Sequence, residues 1–197
     1  MRSTLTASMA RSSFATHLSA VPRSAQWILP TFASAFVGVD VSTLEPKVRA
    51  LVLLRIASID HAPYWRQQLE ACAPELGITP DQLLVVATDE WDDVPAFSPR
   101  ERAAIRWGER VARRTARRDR AAYEEVMAQF DEQELVELTL VASLACMADR
   151  VTNALRISPE PATDLSPSAE PLTDADLVGW SRSIARGVTF EAGGEAP

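Results

Sequence analysis

Asp131-Glu132-Gln133-Glu134-Leu135-Val136-Glu137-Leu138-Thr139-Leu140-Val141-Ala142-Ser143-Leu144-Ala145-Cys146-Met147 is the stretch whose reading decides the fold class. Its first four residues cap a helix, and the run from Leu138 to Met147 is nearly all apolar. A helix that is apolar on most sides belongs at the centre of a bundle. The pattern predicts a helix from Glu132 to about Leu155. Working towards the N-terminus, Arg120 to Phe130 reads as another helix. Ser98-Pro99-Arg100-Glu101 and Thr79-Pro80-Asp81-Gln82 each read as a capped start with proline in the first turn. Pro63 opens a helix expected to reach about Leu76, with Gly77 as its stop. Pro46 to Ser58 is densely apolar and predicts a helix buried on most sides. Trp27, Ile28, Phe32 and Phe36 place two short helices between Phe14 and Val37. No stretch alternates with period two, so the expected class is all-α.

The remaining segments are polar. Residues 1–12 read as a disordered arm and 13–157 as the domain. Residues 158–172, rich in Pro, Ser and Glu, read as a linker. A short helix is expected over 173–187 and a disordered tail over 188–197. The N-terminus has Arg2, Arg11 and many hydroxyl residues, and no acidic residue before Asp40. That composition resembles a transit peptide but lacks the apolar core of a secretory signal, so a frayed arm is the expectation.

Composition excludes several function classes. The chain has 197 residues and a net charge of −7. Nucleic acid and anionic membrane are poor partners for such a charge, and no segment approaches a bilayer span. Lys47 is the only lysine; all other basic side chains are Arg. The basic run Arg113, Arg114, Arg117, Arg118 and Arg120 reads as a solvated helix end, with a polyanion patch as the alternative. Cys72 and Cys146 fit no metal spacing and read as buried free thiols of a reducing cytoplasm. With two His and no His/Cys cluster, no metal and no cofactor is expected.

Three blocks carry a family resemblance. They are Leu44-Glu45-Pro46 through Ala57, Ala96-Phe97-Ser98-Pro99 through Trp107, and Phe130-Asp131-Glu132-Gln133 through Leu140, followed by Asp149-Arg150 and Ala154-Leu155-Arg156. In order and spacing, over about residues 20–157, they resemble the carboxymuconolactone decarboxylase and alkylhydroperoxidase-D-like family. The resemblance implies an oligomeric helical bundle. Redox members of that family use a Glu, a Cys-x-x-Cys pair and a following His to attack peroxide, resolve the sulfenic acid and relay protons. The matching positions here are Ala50, Ala62, Trp65 and Leu69. Disulfide-cycling peroxidase chemistry is therefore not expected.

Other groups surround that emptied site. His61 precedes it, and an imidazole is the default general acid/base. Tyr64 and Gln68 share a helix face and could hold a carbonyl or pack. His61 and Tyr64 are the candidate catalytic residues; Trp65, Gln68, Trp91 and Arg150 are the candidate substrate-binding residues. Against each stands a plainer reading: His61 as a helix-start residue, Trp65 as core, Trp91 as the anchor of its acidic loop, and Asp149-Arg150 as an ion pair between helices. The leading expectation is a cytoplasmic, homo-oligomeric, non-redox enzyme that decarboxylates, cyclises or rearranges a small carbonyl or carboxylic substrate in specialised metabolism. A non-catalytic ligand-binding or assembly protein is the second reading. Residual peroxide reduction through a lone Cys72 or Cys146 is the third.

Overall fold

The computed structural model describes residues 42–159 continuously, together with Phe14, His17, Ala20, Val21, Ile28, Thr31 and Phe32. The chain forms two compact units, one of residues 41–159 and one that joins 1–40 with 160–197. The arm over 1–12, the helix over 173–187 and the tail over 188–197 lie outside the described residues, as do most of the two helices expected before Val37 and of the linker.

The described part of the larger unit is all helix and turn. It contains α1 (Pro46–Ile59), α2 (Pro63–Cys72), α3 (Pro80–Val85), α4 (Pro99–Ala112), a 3₁₀ turn (Ala116–Arg118), α5 (Arg120–Met127) and α6 (Glu132–Ala154). Helices α1 to α4 each carry proline in the first turn, where the missing N–H has no helical partner to lose. Three complete capping boxes start α3, α4 and α6. At α4, Ser98 Oγ accepts from the Glu101 N–H (3.2 Å), while Glu101 Oε2 accepts from the Ser98 N–H (2.8 Å). Thr79 with Gln82 and Asp131 with Glu134 repeat the arrangement. The starts expected from the sequence are thus present.

The ends share one device. At Gly77 the chain turns left-handed (φ 72°), the Ile78 N–H reaches Ala73 O (3.0 Å) and the Gly77 N–H reaches Pro74 O (3.1 Å). That is the Schellman turn expected at a glycine. The same pair of bonds closes α1 around His61 (φ 50°), α4 around Arg114 (φ 59°) and α6 around Arg156 (φ 53°). These three left-handed residues carry a Cβ, which costs about 1–2 kcal/mol each.

Helix α2 stops at Cys72, four residues before the expected Leu76. Pro74 supplies no N–H to continue it, and residues 73–77 form turns instead. Helix α5 ends at Met127, three residues before Phe130, as the chain turns into the Asp131 cap.

Helix α1 sits in the centre and packs on α2, α4 and α6. Every residue from Val48 to Ala57 is buried, Arg49 and Arg55 included. α4 crosses α1 closely: a Cβ built at Gly108 lies 2.6 Å from Val52 Cγ1. Trp107 Nε1 donates to Thr139 Oγ1 (2.9 Å), which ties α4 to α6.

Candidate functional site

The positions that align with the redox residues form solid core. Ala50, Ala62, Trp65 and Leu69 are all buried, Trp65 completely. Trp65 meets Tyr64 edge-on, with ring centroids 5.1 Å apart. Tyr64 and Gln68 are also buried. Cys72 and Cys146 are both buried, as expected. Burial pushes the Cys146 thiol up to about 11, with the charges of Asp60 and Asp149 adding to the rise. At neutral pH it is a thiol, which is a poor nucleophile.

The polar opening lies just beyond the C-terminal end of α1. A cleft of about 440 Å³ is lined by Arg55, Ser58, Ile59, His61, the 87–90 loop and Arg113. His61 is exposed there because the Schellman turn swings it out of the bundle. Arg55 forms the floor. Its Nε donates to Glu109 Oε2 (2.9 Å), and its Nη1 donates to Thr88 O (2.7 Å) and Val86 O (3.3 Å). Trp91 Nε1 donates to the same Glu109 oxygen (3.0 Å), and Arg113 Nε donates to Glu109 Oε1 (2.9 Å). Burial alone pushes the Glu109 carboxyl up. The hydrogen bond and charge of Arg55, with Trp91 and Arg113, outweigh burial and hold it below its ordinary value. The network fixes the 86–91 loop against α1 and α4. Asp89 stands out from it, 3.5 Å from Arg55 Nη2 and 3.7 Å from Arg113 Nη2.

A second polar group lies behind the turn. Asp60 is the C-cap of α1, and its carbonyl accepts from Asn153 Nδ2 of α6 (2.9 Å). On α6, close enough to feel the charge of Asp60, is Asp149, 1% exposed. Asp60 Oδ2 and Asp149 Oδ2 are both buried without a hydrogen-bond partner. Burial pushes the Asp149 carboxyl up to about 8; Asp60 adds to the rise and Arg150 opposes it. Burial also raises Asp60, against the pull of Arg150 and His61.

The candidate residues are therefore dispersed. The cleft that His61 lines includes none of Tyr64, Trp65, Gln68, Trp91 or Arg150. Trp91 is buried beneath its loop as an anchor. Arg150 lines a separate groove with Met147, Val151, Ala154 and Leu155. The ion pair expected of Asp149-Arg150 between helices is replaced by an inward carboxyl and an exposed guanidinium. Arg66 pairs with Glu70 (2.6 Å), its i+4 neighbour. Arg55 and Glu109 were not singled out by the sequence, while Arg113 was read as part of a solvated basic run and Asp149 as half of an ion pair. A buried Arg and its Glu partner 54 residues away give no local signal. Among the described residues, no cluster of three or more His, Cys, Asp or Glu is placed to hold a metal ion.

Two solved structures share this arrangement of helices. One is a protein of unknown function from Agrobacterium tumefaciens, described as a candidate antioxidant defence protein AhpD. It superposes with a TM-score of 0.66 at 18% identity, over 74% of this chain and 96% of that one. The fold is AhpD-like. The other is an uncharacterized peroxidase-related protein from Silicibacter sp. TM1040, with a TM-score of 0.62 at 17% identity, over 70% of this chain and 71% of that one. In sequence the chain is 33% identical over 116 residues to the uncharacterized protein YnjA of Escherichia coli (strain K12). The match takes in 59% of this chain and 63% of YnjA, so it spans less than two thirds of the relative's length. No protein-family model matches the chain. The AhpD-like fold thus agrees with the resemblance read from the three sequence blocks. Among the described residues, no helix is long and apolar enough to cross a membrane.

Proposed function

We propose that this chain is a non-redox enzyme on the AhpD-like fold, acting by acid/base chemistry on a small carbonyl or carboxylic substrate. Loss of CO₂ or rearrangement of a ring is the reaction class. One observation carries the reading: His61 projects into a polar cleft floored by Arg55 and flanked by Arg113. Guanidinium groups suit a substrate carboxylate, and an exposed imidazole beside them moves the proton. Tyr64, Trp65 and Gln68 pack behind the site in this reading, and Trp91 holds the loop. Peroxide reduction, to which the names of the two structural neighbours point, has no thiol pair here to support it. The test is CO₂ release from a panel of β-keto acids and unsaturated lactone acids. Turnover of one member that falls about 100-fold or more in His61→Ala supports the proposal. Unchanged turnover in His61→Ala overturns it.

A second reading, a non-catalytic binding or assembly protein, draws on the packing of Trp65 and Leu69 into the space of the lost redox groups. Saturable binding of a panel member without turnover would favour it.

Self-association forms part of the proposal. Val136, Leu140, Ser143, Met147, Arg150 and Ala154 follow one another on α6 at steps of four and three, the spacing of a helix-pairing seam. Val136 and Leu140 are 56% and 57% exposed. The occupant is a second copy of this chain, running antiparallel. That direction sets Glu132 at one end of the seam against Arg150 and Arg156 at the other.

A further inference from the structure

The cleft presents two guanidiniums, and most of their bonds belong to the fold. Arg55 Nε donates to Glu109 Oε2, and its Nη1 donates to Thr88 O and Val86 O. Arg113 Nε donates to Glu109 Oε1. The Nη2 atoms of the two side chains, brought from α1 and from the end of α4, converge instead on one oxygen. Asp89 Oδ1 lies 3.5 Å from Arg55 Nη2 and 3.7 Å from Arg113 Nη2. Both distances exceed hydrogen-bond length, and the Asp89 side chain is 86% exposed. An ion pair as open as this is weak. The backbone on either side of Asp89 is held, by contrast. Arg55 bonds the Thr88 carbonyl, and Glu109 bonds the Trp91 indole. The carboxylate is therefore free to rotate away while the loop that carries it stays in place.

Charge balance gives that rotation a consequence. With Asp89 over the guanidiniums, two cations face two carboxylates, Glu109 and Asp89, and an incoming anion meets no net attraction from the four. With Asp89 turned to solvent, one positive charge is in surplus and two Nη2 groups aim at a single point. We propose that Asp89 stands where the carboxylate of the substrate binds and is exchanged for it, so that the cleft admits small acids and refuses their neutral counterparts. This inference rests on the reading of the cleft as a site for a carboxylic substrate. Exchanging one carboxylate for another keeps the charge over Arg55 and Arg113 constant, and no covalent bond is made or broken. A neutral ester or amide brings no charge to replace that of Asp89 and leaves it in position. Asp89 touches no reacting atom; it sets affinity and charge selectivity.

The test titrates malonate, and malonamide as its neutral counterpart, into the full chain, with the arginine side-chain ¹⁵Nε signals followed by NMR. Malonate is expected to shift the Arg55 and Arg113 signals, and malonamide is not. Asp89→Asn is expected to bind malonate about fivefold more tightly, the effect of removing two exposed ionic contacts that compete with it. Asp89→Glu keeps a competing carboxylate and is expected to stay within about twofold of wild type. Asp93→Asn removes the same charge from an exposed residue outside the cleft lining. It is expected to change affinity by less than about twofold, because salt screens exposed charges away from the site. Malonate binding in Asp89→Asn that is no tighter than in wild type overturns the exchange. Equal tightening in Asp89→Glu or Asp93→Asn overturns it as well, and equal shifts by malonamide overturn the charge selectivity. In the CO₂ assay, the KM of an acid that is turned over is expected to fall by about the same factor in Asp89→Asn. Unchanged malonate affinity in Asp89→Asn, with His61→Ala inactive, overturns the exchange and leaves the acid/base reading standing. Tighter malonate binding with an active His61→Ala supports the exchange and overturns that reading.

Discussion

His61 occupies a backbone conformation that glycine adopts more readily. The Schellman turn at the end of α1 needs a positive φ at this position, and Gly77 meets the same need at no cost. His61→Gly is therefore expected to raise stability by about 1 kcal/mol, read as a higher urea midpoint, while abolishing CO₂ release. A variant that is less stable would show that the imidazole is a structural group. Asp149 makes the opposite bargain with pH. Its folded pKa lies above its unfolded value, so its contribution is complete below the unfolded pKa and is lost as pH rises through about 8. Over that window stability falls by up to about 1.4 kcal/mol per pH unit. Urea midpoints measured at several pH values should show this slope in the wild-type chain and lose it in Asp149→Asn. His61 was legible in the sequence because imidazoles are scarce there. Asp149 was not. Asp149-Arg150 read as an ion pair between helices, yet successive residues on a helix point in different directions, and here the carboxyl turns inward while the guanidinium is exposed.

Helix starts were legible because each is a local event. Thr79, Ser98 and Asp131 bond residues three positions on, so four residues of sequence contain the whole interaction. Helix ends were less so, since three of the four Schellman turns use His or Arg in place of glycine. The contact between α1 and α4 was not legible at all. Gly108 reads as a weak helix residue, and only the crossing shows that it makes room for Val52. Gly108→Val is expected to destabilise by about 1–3 kcal/mol through overpacking, measured by urea unfolding. Retained stability would mean that α1 and α4 can separate without loss. The Arg55–Glu109–Trp91 network belongs to this scale too, because it welds the 86–91 loop to two helices and so shapes the cleft.

At the scale of the whole molecule, the apolar seam of α6 is expected to bring two copies together. Leu140→Glu places a charge at its middle and should halve the mass seen by light scattering, with the helical circular dichroism unchanged. A wild-type chain that is already monomeric rejects the seam as an interface. Acid adds another constraint. Glu101, Glu109, Glu137 and Asp92 are held below their ordinary values by their cationic and hydrogen-bonding partners. Their contribution is present above the unfolded pKa and is lost as pH falls through the folded one. Sequence by itself determined the all-α class, the starts of α3, α4 and α6, the burial of α1 on most sides, and the absence of a thiol pair. Each of these depends on local bonding, on the spacing of apolar residues, or on residue identity alone. Only the tertiary structure decided that Trp65 and Leu69 are buried, that Arg55 floors a cleft, and that Asp149 lies inside without a cation. Those facts depend on burial, which is set by segments far apart in the chain.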